Sequence, residues 1–247
     1  MPEYTQANRP LRVTTPLGED ALLLTAFGGT EELSRLFHFE LQLVAELDQQ
    51  VPFDQLLGQP VHVAIQPVQY GDIRHFDGII SRFSQGKRDD NFVYYRAEMV
   101  PQHWLLSRVT QSRIFQHITV PDILKRVFEG YEVTWELRGT YEKRDYCVQY
   151  RESDLDFASR LMEEEGIYYF FKHTESGHQM IVADTPQSHS AVPFEDTVLY
   201  EELHGGNREE SRIFHWEKAQ EIRSGKTTLW DHCFELPHKH LEAQKTL

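Results

Sequence analysis

Most of the first hundred residues read as strands, with stretches in which hydrophobic and polar positions alternate. In "LFHFELQLVAE" (Leu36–Glu46), Phe37, Phe39, Leu41 and Leu43 share one face, while His38, Glu40 and Gln42 share the other. A period of two is the mark of a half-buried strand. After a short turn at "FDQLLG", "PVHVAIQP" repeats it with Val61, Val63 and Ile65. "RHFDGIISRFSQG" and "NFVYYRAEMVP" then flank "GKRDDN", a turn-rich linker suited to a hairpin. Successive short antiparallel strands with polar turns predict a β-barrel or sandwich.

Near residue 110 the period changes. In "ITVPDILKRVFEG", Thr119 and Asp122 have capping-box spacing and Pro121 falls in the first turn. Val120, Ile123, Leu124, Val127 and Phe128 form the apolar stripe, and Gly130 ends the helix. Strand candidates "YEVTWEL" and "DYCVQY" follow. Ser153 with Asp156 then predicts a second helix start, with Asp154 and Asp156 at the positive end of its dipole. Leu155, Ala158, Leu161 and Met162 are the expected core face, with Phe157 at its edge; Gly166 takes the left-handed stop. "IYYFF" and "HQMIVAD", joined by "HTESGH", read as a hairpin. A further hairpin is expected at Arg212–Pro237, "RIFHWEKAQEI" and "TTLWDHCFELP" around "RSGK", with the tail "HKHLEAQKTL" adding no strand.

The fold class is therefore mainly β with minor α: an antiparallel barrel or sandwich first, a helix-and-hairpin unit after it, and a further hairpin towards the end. Composition narrows the partners. A formal charge of −14 argues against a nucleic-acid binder, which needs a basic stripe to neutralise phosphates. No apolar stretch reaches the roughly 20 residues that span a bilayer, so no stable membrane insertion is expected of this segment. "MPEYTQANRP" does not read as a signal peptide. Cys147 and Cys233 form no motif and fit a reducing cytoplasm, with a single bridge between them left open as the alternative.

Three clusters invite chemistry. Glu163, Glu164 and Glu165 are consecutive on a helix and point about 100° apart, so they do not converge on a substrate. A solvated face or a polar contact is the better reading. His173 and His178, with Glu175 nearby, could hold a metal across their hairpin, but surface histidines beside a turn are commoner. His232, Cys233, His238 and His240 match no zinc spacing, and a strand sends His232 and Cys233 to opposite faces. No nucleophile elbow, phosphate-cradling glycine loop or H-E-x-x-H motif is present. Catalytic, cofactor-binding and metal residues are accordingly expected to be none; a histidine- and acid-based metal-binding or hydrolytic module is the alternative.

"QYRESDLDFASRLMEEEGIYYFF" closely resembles a characteristic stretch of the VgrG proteins, the spike of the bacterial type VI secretion system. "LSRLFHFELQL", "LLGQPVHVAI", "FDGIISRF", "MVPQHWLLS" and "SRIFQHITVPDILKRV" match the same family in the same order. The resemblance implies a non-enzymatic hub like that of contractile phage baseplates. There, two related barrels per chain form a homotrimeric, pseudo-sixfold ring that docks on the hexameric Hcp tube and carries the puncturing needle. It also implies cytoplasmic assembly, delivery out of the cell, and secreted effectors carried on the spike. Family members continue past the position of Leu247, so the resemblance implies an antiparallel hub barrel over residues 1–111, a helix-and-hairpin bracing domain over 112–206, and only the first hairpin of barrel two over 207–247. An expectation follows of a folded body from Leu11 to about Tyr200, a loosely held hairpin, proteolysis near "HGGNREES", and no stable trimer of this chain alone.

Overall fold

The computed structural model describes residues 4–66, 73–189, 197, 199–201, 212–213 and 215–246. Two compact units divide near residue 194. The first opens with six strands: β1 (Leu11–Thr14), β2 (Leu23–Thr30), β3 (His38–Glu46), β4 (Pro60–Ile65), β5 (Arg74–Arg88) and β6 (Phe92–Val100). They pair in the order β1-β4-β5-β6-β3-β2, every neighbour antiparallel. The inward positions expected of β3 and β4 are there: Phe37, Phe39, Leu41, Leu43, Val61 and Val63 are buried, and Ile65 is half-buried.

A six-stranded sheet must curl to bury that face, and Gln6 holds the gap between its first and last strands. Its side-chain amide donates to the Val13 carbonyl of β1 and its oxygen accepts from the Val13 and Leu24 N–H groups, the latter on β2. The result is a nearly closed barrel with a side chain standing in for missing ladder bonds.

The bracing elements of the first unit follow in chain order: β7 (Thr110–Phe115), β8 (Ile118–Thr119), α1 (Val120–Val127), β9 (Val133–Glu136), β10 (Lys143–Arg144), β11 (Cys147–Ser153), α2 (Asp154–Glu165), β12 (Tyr168–Thr174) and β13 (Gly177–Ala183). Both helix starts are as expected. The Thr119 and Ser153 hydroxyls accept from the Asp122 and Asp156 N–H groups and donate to the same two carboxylates. Gly166 ends α2 at φ 70°. One side-chain assignment on α2 differs. Phe157 is fully buried, stacked on Phe115 at 5.7 Å, while Leu155 is half-exposed. The β7–β11 ribbon covers that flank of the helix and turns its edge into core.

The second core lies between the helices and the β12-β13-β9 sheet and includes Phe115, Ile123, Leu124, Phe157, Leu161, Tyr169 and Met180. Phe171 packs against both cores.

In the second unit, β14 (Leu199–Tyr200) pairs in parallel with β15 (Arg212–Ile213), and β16 (Lys226–Asp231) pairs antiparallel with β17 (Leu241–Thr246). The expected hairpin around "RSGK" is corrected here. Residues 215–225 carry no strand, and "TTLWD" pairs with the tail that was expected to add none. The chain reverses instead within 232–240, where Leu236 N–H donates to Cys233 and Lys239 N–H to Leu236. The segment "HGGNREES" lies outside the described residues. Among the described residues, no helix is long and apolar enough to cross a membrane.

Candidate functional site

The hairpin β12–β13 is where the two cores of the first unit meet. Its inward face is set by alternation: Tyr169, Phe171 and His173 on β12 lie opposite Val182, Met180 and His178 on β13. The turn is only Glu175–Ser176, and His173 and His178 are a directly opposed pair. Directly opposed residues project from the same face.

That pairing corrects the reading of these histidines as surface groups. Each side chain is 8% exposed. His173 lies against Phe37, Phe39 and Phe76 of the barrel core, with centroids 4.8–6.0 Å away. Its Nδ1 accepts from the Asp77 N–H at 3.2 Å, so Nε2 carries the proton, facing Glu31 at 3.0 Å. His178 takes the opposite tautomer. Its Nε2 accepts from the Gln102 N–H at 3.0 Å, and Nδ1 donates to Asp77 Oδ1 at 2.9 Å. Glu175, the acid expected beside them, is exposed in the turn; Asp77 and Glu31 take its place.

Asp77 is the centre of this seam. It is opposite His62 in the β4–β5 register, and His62 Nδ1 is 3.8 Å from its second oxygen; His62 in turn meets His75 at 3.0 Å. Burial pushes the Asp77 carboxyl up, but hydrogen bonds and charge attraction from His178 and His62 outweigh it and hold the group at about 2. Gly78 leaves room for β6 beside it: a Cβ would meet Met99 Cγ and the Val100 oxygen, each at 2.7 Å. His103 packs beside Tyr131, Phe171 and His178. Its burial lowers it to about 4, His178 adds to the shift, and the Glu132 backbone opposes it.

The glutamates have structural partners. Arg144 bridges Glu164 at 2.5 Å and Glu165 at 2.7 Å, and Arg160 joins Glu152 and Glu164; Glu163 is exposed. At the other end of α2, buried Asp154 accepts from Gln111, Arg113 and Gln149. "YYFF" divides as alternation requires, with Tyr169 and Phe171 inward and Tyr168 and Phe170 stacked outside with His189. In the second unit His240 stacks on Trp230 at 5.3 Å, and His232 and His238 are exposed. No group of three or more His, Cys, Asp or Glu among the described residues could hold a metal ion. The contacts centred on Asp77 join the barrel to the β12–β13 hairpin.

The sequence model of the phage tail baseplate hub (GPD) family matches residues 30–247. Type VI secretion system spike protein VgrG1b of Pseudomonas aeruginosa is 40% identical over 98% of this chain and 33% of its own length. VgrG1a of the same organism is 39% identical over 98% of this chain and 38% of its own. The chain thus spans about a third of the length of the curated relatives it matches. Among solved structures, the E. coli c3393 protein superposes with a TM-score of 0.63 at 24% identity, over 77% of this chain and 51% of that one. It is a component of the type VI secretion system with structural similarity to T4 bacteriophage tail proteins gp27 and gp5; the likeness here is one of fold.

Proposed function

The chain belongs to the phage tail baseplate hub family, and from that premise we propose that it is the hub-forming portion of a type VI secretion spike. The observation that carries this reading is the match to the Pseudomonas spike proteins over nearly the whole chain. The part is structural, not an enzyme, and no catalytic, cofactor or metal residue is assigned to it. Residues 1–111 supply one hub barrel, 112–206 brace it, and 207–247 begin a second barrel.

In the assembled spike, three such chains form a ring with two barrels from each. That ring seats on the hexameric Hcp tube, carries the needle on its other side, and leaves the cell with it, effectors attached. The seam centred on Asp77 serves this role by fixing the barrel against its brace, so that load on one is borne by both. The test is co-sedimentation of the complete spike protein with Hcp tubes, using variants at exposed charges of the barrel such as Glu40, Arg82 and Arg96. Reduced co-sedimentation in variants that stay trimeric supports the placement. Unaltered binding after every such change contradicts it.

A further inference from the structure

We propose that two surfaces on opposite flanks of α2, an apolar ridge on the β7–β11 ribbon and a groove lined by Leu155, are the two halves of one contact between copies of this chain. The inference rests on the hub reading, which supplies the second copy, and it names the surfaces through which neighbouring chains meet.

The ridge is the outer face of the ribbon. Its inner face is set by the opposed pairs Cys147–Phe115 and Gln149–Arg113; the alternate pairs, Val148–Ile114 and Tyr150–Ser112, project the other way. Ile114 is 60% exposed and Tyr150 65%. Beneath them the ribbon is pinned. Arg113 donates to Gln149, and both donate to the buried Asp154 carboxylate at the start of α2. A bulge follows Tyr150, where Arg151 takes φ 51° and holds its guanidinium 5.3 Å from the Tyr150 ring centroid. Among the described residues that guanidinium meets no carboxylate. An exposed tyrosine and an unpaired arginine on a rigid strand pair have the make-up of an interface hot spot.

The groove lies on the other flank. Leu155 and Phe157 are two positions apart on α2, and so about 200° apart around its axis. Phe157 takes the ribbon side, stacked on Phe115. Leu155 therefore faces away from the ribbon, and with Leu36 and Tyr169 it lines a groove of ≈ 380 Å³ that has Glu32 at its rim. Leu33, 59% exposed, stands in the same loop. A contact with another chain gives the half-exposed Leu155 the burial that its own fold does not.

The two surfaces complement each other. The ridge is apolar and ends in a free cation. The groove is apolar at its floor, and in the loop that forms its lip Glu31 and Glu32 outnumber Arg35. On a chain of formal charge −14, copies repel one another over most of their surface, so a contact needs such a matched place. Ridge and groove are different surfaces, which makes the contact heterologous. Each copy offers its ridge to one neighbour and its groove to the other, as a closed ring requires.

Zero-length cross-linking tests the pairing. Arg151→Lys keeps the cation and supplies an amine. A carbodiimide activates the Glu32 carboxylate, the amine attacks it, and an amide forms as the urea leaves. In the complete spike protein carrying Arg151→Lys, the expected product is a covalent pair of chains in which position 151 is joined to Glu32. The unsubstituted protein should lack it, because a guanidinium does not couple, and adding Glu32→Gln should abolish it. A trimer in which position 151 joins no second chain, or joins one elsewhere, overturns the proposal and leaves the hub reading standing; a complete protein that is monomeric overturns both. Should the variant not fold, radical footprinting of the unsubstituted protein decides. Tyr150 and Leu33 oxidised several-fold less in the trimer than in this chain diluted to monomers support the contact, and equal oxidation overturns it.

Discussion

Leu161 is fully buried in the core between the helices and the β12-β13-β9 sheet. Leu161→Ala should cost about 2–5 kcal/mol, read from denaturant midpoints, since the cavity cannot refill from rigid neighbours. The acids beside it divide by their partners. Glu163→Gln should change stability by less than about 0.5 kcal/mol, being an exposed charge. Glu164→Gln and Glu165→Gln should each cost up to about 1 kcal/mol, because they share Arg144 in partly exposed pairs. His103 gives the acid limb its sign. Its folded value, about 4, lies below the ordinary 6.5, so the unfolded chain binds the proton more readily between them. The neutral ring's contribution is complete above pH 6.5 and is lost as pH falls toward 4, about 3 kcal/mol in all. Asp77, held at about 2, adds a second loss below about pH 4. Denaturant titrations from pH 7.5 to 3 should show both, and His103→Phe should flatten the upper one. A stability profile that is level from pH 7 to 4.5 would contradict this assignment. At this scale the polar contacts of the glutamates were legible as a possibility, but not that Glu164 and Glu165 would meet on one Arg144. The seam was not legible: Asp77 of β5, which both His173 and His178 meet, lies 96 and 101 residues away from them in sequence. One local signal was available. Both histidines continue the inward alternation of Tyr169–Phe171 and Met180–Val182, which a satisfied core position would share.

The elements that carry their own end signals were the readable ones. Both α-helices begin at their caps, and α2 stops at Gly166. That glycine has open space around it and φ 70°, so Gly166→Ala measures backbone strain alone. A cost of about 1–2 kcal/mol is expected from thermal unfolding, with no change in fold. The barrel closure is the opposite case. Gln6→Ala leaves the Val13 N–H and C=O and the Leu24 N–H short of a partner, at about 1–3 kcal/mol, and exchange should rise first at those amides. Nothing in the pattern around Gln6 announces this, because the gap it bridges exists only once six strands have curled. The second unit misled for a related reason. "RSGK" looks like a hairpin turn, yet β16 pairs with β17, whose sequence "LEAQKT" has a weak alternation. Strand pairing is decided by what a strand can reach, and turn chemistry at Gly225 only permits a reversal.

For the whole molecule, the order of motifs was legible in the sequence and the joint between barrel and brace was not. Motif order follows local pattern, while the joint depends on contacts between segments a hundred residues apart. The proposed role as a spike hub is open to a direct test. The direct measurement replaces the aligned 245 residues of Pseudomonas aeruginosa VgrG1b with this chain and assays the chimera for mass in solution and for Hcp release from cells lacking the native spike proteins. The account predicts a trimer that restores Hcp release. A chimera that is folded and abundant but stays monomeric, or that forms trimers and releases no Hcp, would contradict it.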